Sequence, residues 1–335
     1  MIDLSGKRNI LIVRLGKIGD IIIASSVFYQ WKKSFPQNHI TLVTLSKNKD
    51  VLKYNADVDK IYFIKRRVLL IFQIIKLRLM NFDLLVDLND DQSTTSLFIR
   101  RFIKAKIKVG FKFSEKDITD ISIIQPSKTE THIIERAKTL IESLDRNFSQ
   151  SELKPILYLG RKELDIVKEE LQKHRNNKKI VTINISAGAS IRYWPEKKWI
   201  ELINRITGDS MEWMLLILCT KKDESKKESI LKQVDPRRII GTTHKSFQHY
   251  AAYVKNSDIL ISPDTSAVHI ASAFDVPVVA IYPNPEWNFI SWQPLSTHFV
   301  SIRSKDDNIT NVSVEEVYQA FIKLTVNFKG KVDGS

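Results

Sequence analysis

A single cysteine, Cys219, stands among 335 residues, so no disulfide can close within the chain and a reducing compartment is expected. No apolar run reaches the ~18–20 residues needed to span a bilayer. The start of the sequence lacks the order of basic residues, apolar run and small-residue cleavage site that marks a secretory leader. A cytoplasmic protein is therefore expected. Glycine and proline are scarce, ten of each, and no low-complexity tract interrupts the chain, so disorder is expected only at the tail, GKVDGS. The seven histidines are scattered, without zinc spacing. Acidic residues are outnumbered, 38 against 52 basic, giving a formal net charge of +14. Such an excess suits nucleic acid, anionic lipid head groups or phosphorylated sugars without choosing among them. A Lys-rich solvated surface would produce it equally well.

What is present is a globular composition, 43% hydrophobic and 27% charged, at a length that suits two domains. Short continuous apolar runs mark buried parallel strands: RNILIV (8–13), HITLVT (39–44), DKIYFI (59–64), DLLVDL (83–88) and KIKVGF (106–111). Helical patterns alternate with them, at about 24–33, 69–80 and 131–144. Residues 154–161 read as a crossover. KIVTINIS (179–186), WMLLILC (213–219), DILISP (258–263) and VPVVAIY (276–282) then repeat the strand pattern. Helices are expected at 163–174, after Trp194-Pro195 with Pro195 in the first turn, in a Lys-rich stretch after Cys219, at 265–274 and at 313–325. Strand–helix alternation of this kind predicts an α/β protein of two doubly wound, Rossmann-like sheets, which bind ligands at their carboxyl edges. The domains are expected at 1–158 and 159–335, with the last helix a candidate to pack back on the first domain. Carboxyl edges that face each other would make an interdomain cleft suited to a two-substrate transferase.

Three stretches can carry chemistry. In RLGKIGD (14–20), G-x-x-G-D follows a strand and precedes a helix. It is neither a dinucleotide fingerprint nor a Walker A loop. Two glycines there suggest close backbone approach to a ligand, and Asp20 reads either as a helix cap or as a functional acid. In SPDTSAVHIASAF (262–274), Asp264, Thr265 and Ser266 open a helix whose N–H groups suit phosphate, with His269 one turn on. The plainer reading makes Asp264 the cap and His269 a buried, satisfied histidine. In ISAGASIRYWPEKKW (185–199), Arg192 stands beside the small-residue loop containing Gly188, where a cation can hold a diphosphate. Asp57-Val58-Asp59 resembles a metal-binding D-x-D but reads as a turn before a strand. Cys219 ends a buried strand, and no thiol chemistry is expected of it.

Together these stretches resemble glycosyltransferase family nine, the ADP-heptose:lipopolysaccharide heptosyltransferases. The resemblance covers nearly the whole chain. It rests on ILIVRLGKIGDIIIASSVFYQWKKSFP, on DLLVDLND and the KVGF turn, on THIIERAKTLIESL, on RYWPEKKWIELI and above all on DILISPDTSAVHIASAFDVPVVAIYPNP. It implies the GT-B architecture, two Rossmann-like domains with a cleft between them, and inverting transfer with no metal or other cofactor. It implies Asp20 as general base toward an acceptor hydroxyl, with Lys17, Gly19, Lys65, Arg66 and Arg67 on the acceptor side. On the donor side it implies Arg192 at the diphosphate, Thr265 and Ser266 at the phosphates, and Asp264 at the heptose or orienting the loop. His269 and Gly188 belong to the same site, Lys245 lies near the adenine, and Asp223 or Glu224 near the ribose. The partners implied are ADP-heptose and an anionic lipopolysaccharide-type acceptor, with peripheral contact to the inner membrane and no nucleic acid. Two departures from the family pattern stand out: Ser266 replaces a glycine, and the CTKKDE loop lacks one. They leave another nucleotide sugar open as donor. A non-enzymatic polyanion-binding protein is the alternative of a different class, although no nucleic-acid module is recognisable.

Overall fold

The computed structural model describes residues 2–64, 69–114, 118–148, 152–175, 177–242 and 245–332. Met1–Tyr158 and Leu159–Ser335 form two compact units. The first runs β1 (Asn9–Val13), α1 (Ile18–Ser34), β2 (His39–Leu45), β3 (Lys60–Ile64), α2 (Leu69–Arg78), β4 (Phe82–Asp87), α3 (Thr94–Phe102), β5 (Ala105–Phe111), β6 (Ile121–Ile123) and α4 (Ile133–Glu142). The second runs α5 (Arg161–Arg175), β7 (Lys179–Asn184), α6 (Glu196–Asp209), β8 (Trp213–Leu218), α7 (Glu224–Leu231), β9 (Ile239–Gly241), α8 (Phe247–Lys255), β10 (Ile259–Pro263), α9 (Ser266–Ala273), β11 (Val278–Tyr282), α10 (Glu286–Ser291), β12 (Phe299–Arg303) and α11 (Val314–Val332).

Each unit is one six-stranded sheet, ordered β3-β2-β1-β4-β5-β6 in the first and β12-β11-β10-β7-β8-β9 in the second. The recorded strand pairs are parallel, among them β1 with β2 and β4, and β7 with β8 and β10. Numbered within its own unit, the second sheet has the same order as the first. In both, the chain reverses direction of travel between the first and fourth strands, the switch point at whose carboxyl edge doubly wound sheets bind ligands. The central strands read as unbroken apolar runs because both faces are covered: Ile10 to Val13 and Leu215 to Leu218 are fully buried.

Several boundaries differ from the sequence reading. The first helix begins at Ile18 rather than near Ala24, so Gly19 and Asp20 lie in its first turn. Pro195 is the residue before α6 and not in its first turn. Six elements, α3, β6, β9, α8, α10 and β12, lie outside the sequence reading. The closing helix is longer than 313–325. It packs on α6, β11 and β12 of its own unit, with Val317, Phe321 and Leu324 in that unit's core. Asp57 and Asp59 serve structure: Asp57 accepts from the Tyr158 hydroxyl (2.8 Å), and Asp59 accepts from the Ile40 N–H (2.7 Å) and pairs with Lys32 (2.7 Å). Cys219 is buried, and burial pushes its thiol up to about 12, which keeps it protonated and inert.

Candidate active site

In the first unit the switch point lies between β1 and β4. Arg14 follows β1 directly and is buried. Its guanidinium donates to the Leu88 carbonyl (2.6 Å) and to one oxygen of Asp90 (2.7 Å), both beyond β4, and to Oδ1 of Asp20 (2.5 Å). The second oxygen of Asp90 meets Arg136 of α4 (3.3 Å), and Arg136 also donates to the Thr131 carbonyl (2.7 Å). Four charges therefore alternate in sign: Asp20, Arg14, Asp90, Arg136. Burial works against the Arg14 charge, but Asp20 and Asp90 outweigh it and its pKa rises. Burial likewise opposes ionisation of Asp90, and Arg14 and Arg136 overturn it, holding that carboxyl below its ordinary range. The space these groups enclose with Ile23, Phe111 and Ile133 is about 10 Å³, room for about one water. The ions are thus packed against one another, and Asp20, its side chain 18% exposed, forms their outer end.

Asp20 is the third residue of α1. Its Oδ2 accepts from the Lys17 N–H (2.7 Å), one of the donors a helix start leaves unsatisfied. Each carboxylate oxygen thus carries one protein hydrogen bond and keeps capacity for another. Gly16 explains the loop. A Cβ there would lie 2.2 Å from the Asp20 Cβ and 2.3 Å from its Cγ. The close approach that this glycine permits is that of the Asp20 side chain, not of an external ligand. Gly19 has no positive φ and sits in the helix. Lys17 is exposed beside this carboxylate. Lys65, Arg66 and Arg67 lie outside the described residues.

The second unit's switch point lies between β7 and β10. Asn184 ends β7, and its amide donates to the Ser186 carbonyl (3.1 Å), to Ser262 Oγ (2.9 Å) and to Thr265 Oγ1 (3.1 Å), tying the two strand ends together. Thr265, not Asp264, caps α9, its hydroxyl oxygen accepting from the Ala267 N–H (3.2 Å). That hydroxyl is committed within the protein, while Ser266 is only half-buried. Asp264 is buried and pairs with Arg192 (3.1 Å), and the Asn288 amide donates to the same carboxylate oxygen (2.7 Å). Arg192 also donates to Asn288 Oδ1 (3.1 Å) and to the Asp264 carbonyl (3.2 Å). Arg192 is therefore no loose surface cation: a buried acid and an amide aim it. His269 is buried one turn into α9, its ring 5.6 Å from that of Trp292.

The remaining donor-side expectations divide. Asp223 is buried, accepting from Ser186 Oγ (2.7 Å) and the Tyr193 hydroxyl (3.0 Å) and pairing with Lys226 (3.1 Å). Burial opposes its charge and these donors prevail, so its pKa is lowered. It braces the loop after β7, which leaves Glu224, partly exposed and paired with Lys227 (2.6 Å), as the acid with a surface. A Cβ at Gly188 would meet open space, so no close approach is built there. Lys245 is exposed just before Ser246, whose hydroxyl caps α8. The sequence reading missed Arg14, Asp90, Arg136, Asn184 and Asn288. The one signal available was an arginine among the isoleucines of THIIERAKTL, where an amphipathic helix should be apolar.

The sequence pattern of glycosyltransferase family 9 (heptosyltransferase) matches residues 73–321. Lipopolysaccharide heptosyltransferase 3 of Escherichia coli K12 is 22% identical over 305 residues, 84% of each chain. A family 9 glycosyl transferase from Veillonella parvula superposes with a TM-score of 0.83 at 17% identity, covering 97% of this chain and 99% of that one. The ADP-heptose lipopolysaccharide heptosyltransferase II of E. coli gives 0.75 at 15% identity, covering 96% and 99%. An E. coli heptosyltransferase solved with ADP-2-deoxy-2-fluoro heptose gives 0.73 at 14%, covering 94% and 99%. The structural likenesses establish two Rossmann-like units of the GT-B class, and the pattern match takes in the latter half of the first unit and most of the second. On that match the chain belongs to glycosyltransferase family 9, the heptosyltransferases.

Proposed function

We propose that the protein transfers a heptose from ADP-heptose to a lipopolysaccharide core or related surface glycan, with inversion at the anomeric carbon. The observation that carries this reading, beyond family membership, is the position of Asp20. It is the exposed end of a buried charge chain at a carboxyl-edge switch point, with its oxygens oriented by Arg14 and the Lys17 N–H. In the proposed step the acceptor hydroxyl gives its proton to Asp20 while its oxygen bonds to C1 of the heptose. The C1–O bond to the diphosphate breaks, and ADP leaves with the electron pair. An ionised carboxylate is a weak base, so proton transfer comes late, as charge builds on an oxocarbenium-like transition state.

The first unit is the acceptor domain in this reading and the second the donor domain. Arg192, aimed by Asp264 and Asn288, meets the growing negative charge of the diphosphate in place of a metal ion. The N–H groups at the start of α9, with Ser266, hold the phosphates. Thr265 and His269 keep that helix start in shape, and Lys245 and Glu224 lie toward the nucleoside. Lys17 and the basic run 65–67 favour an anionic acceptor. The inward turn of Asp223 and the glycine-free CTKKDE loop favour testing other nucleotide sugars beside ADP-heptose.

The test is turnover. Purified protein with ADP-heptose and truncated lipopolysaccharide cores is expected to release ADP and yield product heavier by one heptose. Consumption of a different nucleotide sugar instead would move the donor and keep the enzyme class. Steeply salt-dependent DNA binding with no transfer would favour the polyanion-binding alternative. Gly16→Ala supplies an independent check. Its methyl must displace the Asp20 side chain or the first turn of α1. Misplacing a reacting group by roughly 1 Å costs on the order of 10²-fold in rate. Turnover should fall by about that factor, with donor affinity unchanged by calorimetry.

A further inference from the structure

The ladder of β1 ends where the Arg14 N–H meets the Val43 carbonyl (3.0 Å) on one side and the Leu88 N–H meets the Val13 carbonyl (2.9 Å) on the other. The bonds of α1 begin with the Ile21 N–H on the Lys17 carbonyl (3.2 Å). Leu15 and Gly16 lie between, half-buried, where backbone polar groups need partners from outside strand and helix. Two asparagine side chains supply them. Asn48, in the turn Ser46–Asn48 after β2, donates from its amide to the Gly16 carbonyl (3.1 Å) and to Thr44 Oγ1 (3.0 Å). Asn89, beyond β4, accepts the Leu15 N–H on its Oδ1 (2.9 Å). β2 and β4 flank β1, so the loop is gripped from both sides.

Each amide is held in one orientation. The Asn89 N–H and Nδ2 both donate to Oδ1 of Asp87 (3.1 and 2.6 Å). An ionised carboxylate only accepts, so the Asn89 oxygen is turned toward Leu15. Ser96 and Arg100 of α3 fix Asp87 in turn, the guanidinium at 3.1 Å, and Asp87 and Arg100 are each 1% exposed. Asn48 is fully buried. Its NH₂ faces the Gly16 carbonyl, and its Oδ1 meets no protein donor among the described residues. A side chain kept there for packing alone would be apolar, since a buried polar atom without a partner costs stability. What the two amides hold is the seat of Asp20. Its side chain packs on Gly16, and its Oδ2 accepts from the Lys17 N–H one residue on. Its hydrogen bonds run to Arg14 and Lys17, so the asparagines reach it only through the loop. We propose that Asn48 and Asn89 are positioning residues for Asp20, setting its carboxylate through the backbone of residues 15–17. The inference rests on the reading of Asp20 as the base and adds what fixes that base in place.

The test is steady-state transfer by the full chain. Asn48→Ala and Asn89→Ala should each lower kcat by about 10- to 100-fold, with ADP affinity unchanged by calorimetry. The number of ADP sites per chain separates positioning from misfolding: a folding defect lowers that number, and a misplaced base leaves it whole. Each variant is then combined with Asp20→Asn. Residues that act only through the Asp20 carboxylate cost nothing further once it is gone. The double variants should therefore match Asp20→Asn alone in kcat within about twofold. A full second loss in the Asp20→Asn background would show that the asparagines act elsewhere, and it overturns the proposal. Wild-type kcat in both alanine variants overturns it too, with the base reading intact. Wild-type turnover by Asp20→Asn alone marks the other failure, that of the base reading, and the proposal falls with it.

Discussion

Replacing Asp20 by alanine is expected to abolish sugar transfer while leaving donor binding intact. Two readings of Asp20 compete, and they differ in magnitude. As a first-turn acid accepting from the Lys17 N–H, it is worth about 0.5–2 kcal/mol of helix stability, with no direct effect on chemistry. As general base it is worth about 10²–10⁴ in kcat. Asp20→Asn separates the two further, because the amide keeps shape and one acceptor oxygen but cannot take a proton at neutral pH. Both variants should therefore bind donor like the wild type in a titration and lose turnover by about that factor. Stability should fall in both, since each removes the charge that buried Arg14 pairs with, and further in Asp20→Ala, which also loses the first-turn acceptor. Retention of turnover within an order of magnitude would make Asp20 a cap and remove the base from the proposed mechanism. The structure already shows why a cap alone is an incomplete account. A cap needs one oxygen, and the other is held by a buried arginine that the cap does not require.

The sequence made the strands legible where burial on both faces removes alternation, as in NILIV, WMLLIL and VVAIY. It failed on ISI and IIG, the three residues each of β6 and β9, because so short a run has no measurable period. It also failed at the start of α1. A glycine at position 19 reads as a helix breaker, yet the Asp20 carboxylate fixes the first turn around it, and local bonding outweighs propensity. Asp20 itself stood out from its place after a strand and two glycines, as either a helix cap or a functional acid. Its support was not legible, since Arg14 meets Asp90 across 76 positions and Arg136 meets Asp90 across 46. A charged residue at the end of an apolar run looks like the strand's exit to solvent until the partner that buries it is placed. In the second unit the same holds for Arg192, legible as a cation near a loop, and for Asn288, 96 residues away, whose oxygen it meets.

Arg14→Ala is the second substitution with a large expected effect, and here stability moves first. Arg14 is the one cation between two carboxylates, its side chain 4% exposed, against 18% for Asp20 and 13% for Asp90. Removing one partner of a buried pair costs about 3–5 kcal/mol, mostly from the charge left behind. Chemical unfolding of the variant should show a loss of that size. Arg14→Lys should recover only part of it, since an ammonium cannot fork to Asp20, Asp90 and the Leu88 carbonyl together. Adding Asp20→Asn to Arg14→Ala should recover part of the loss, because Asp20 pairs with Arg14 whereas Asp90 keeps Arg136; simple additivity in that double-mutant cycle would show that Arg14 and Asp20 are not coupled. The pH dependence has a definite sign. The folded state holds Asp90 below its ordinary range, so its contribution is complete above the unfolded carboxylate pKa, about 3.9, and is lost as pH falls toward the lower folded value. Arg14→Ala removes the main cause of that depression, so its stability should vary less with pH through the acid range than that of the wild type. Turnover should fall as well in the folded variant, because Asp20 Oδ1 loses the donor that orients it. A variant that stays as stable as the wild type would mean that Asp20 and Asp90 find other partners, and that Arg14 does not position the base.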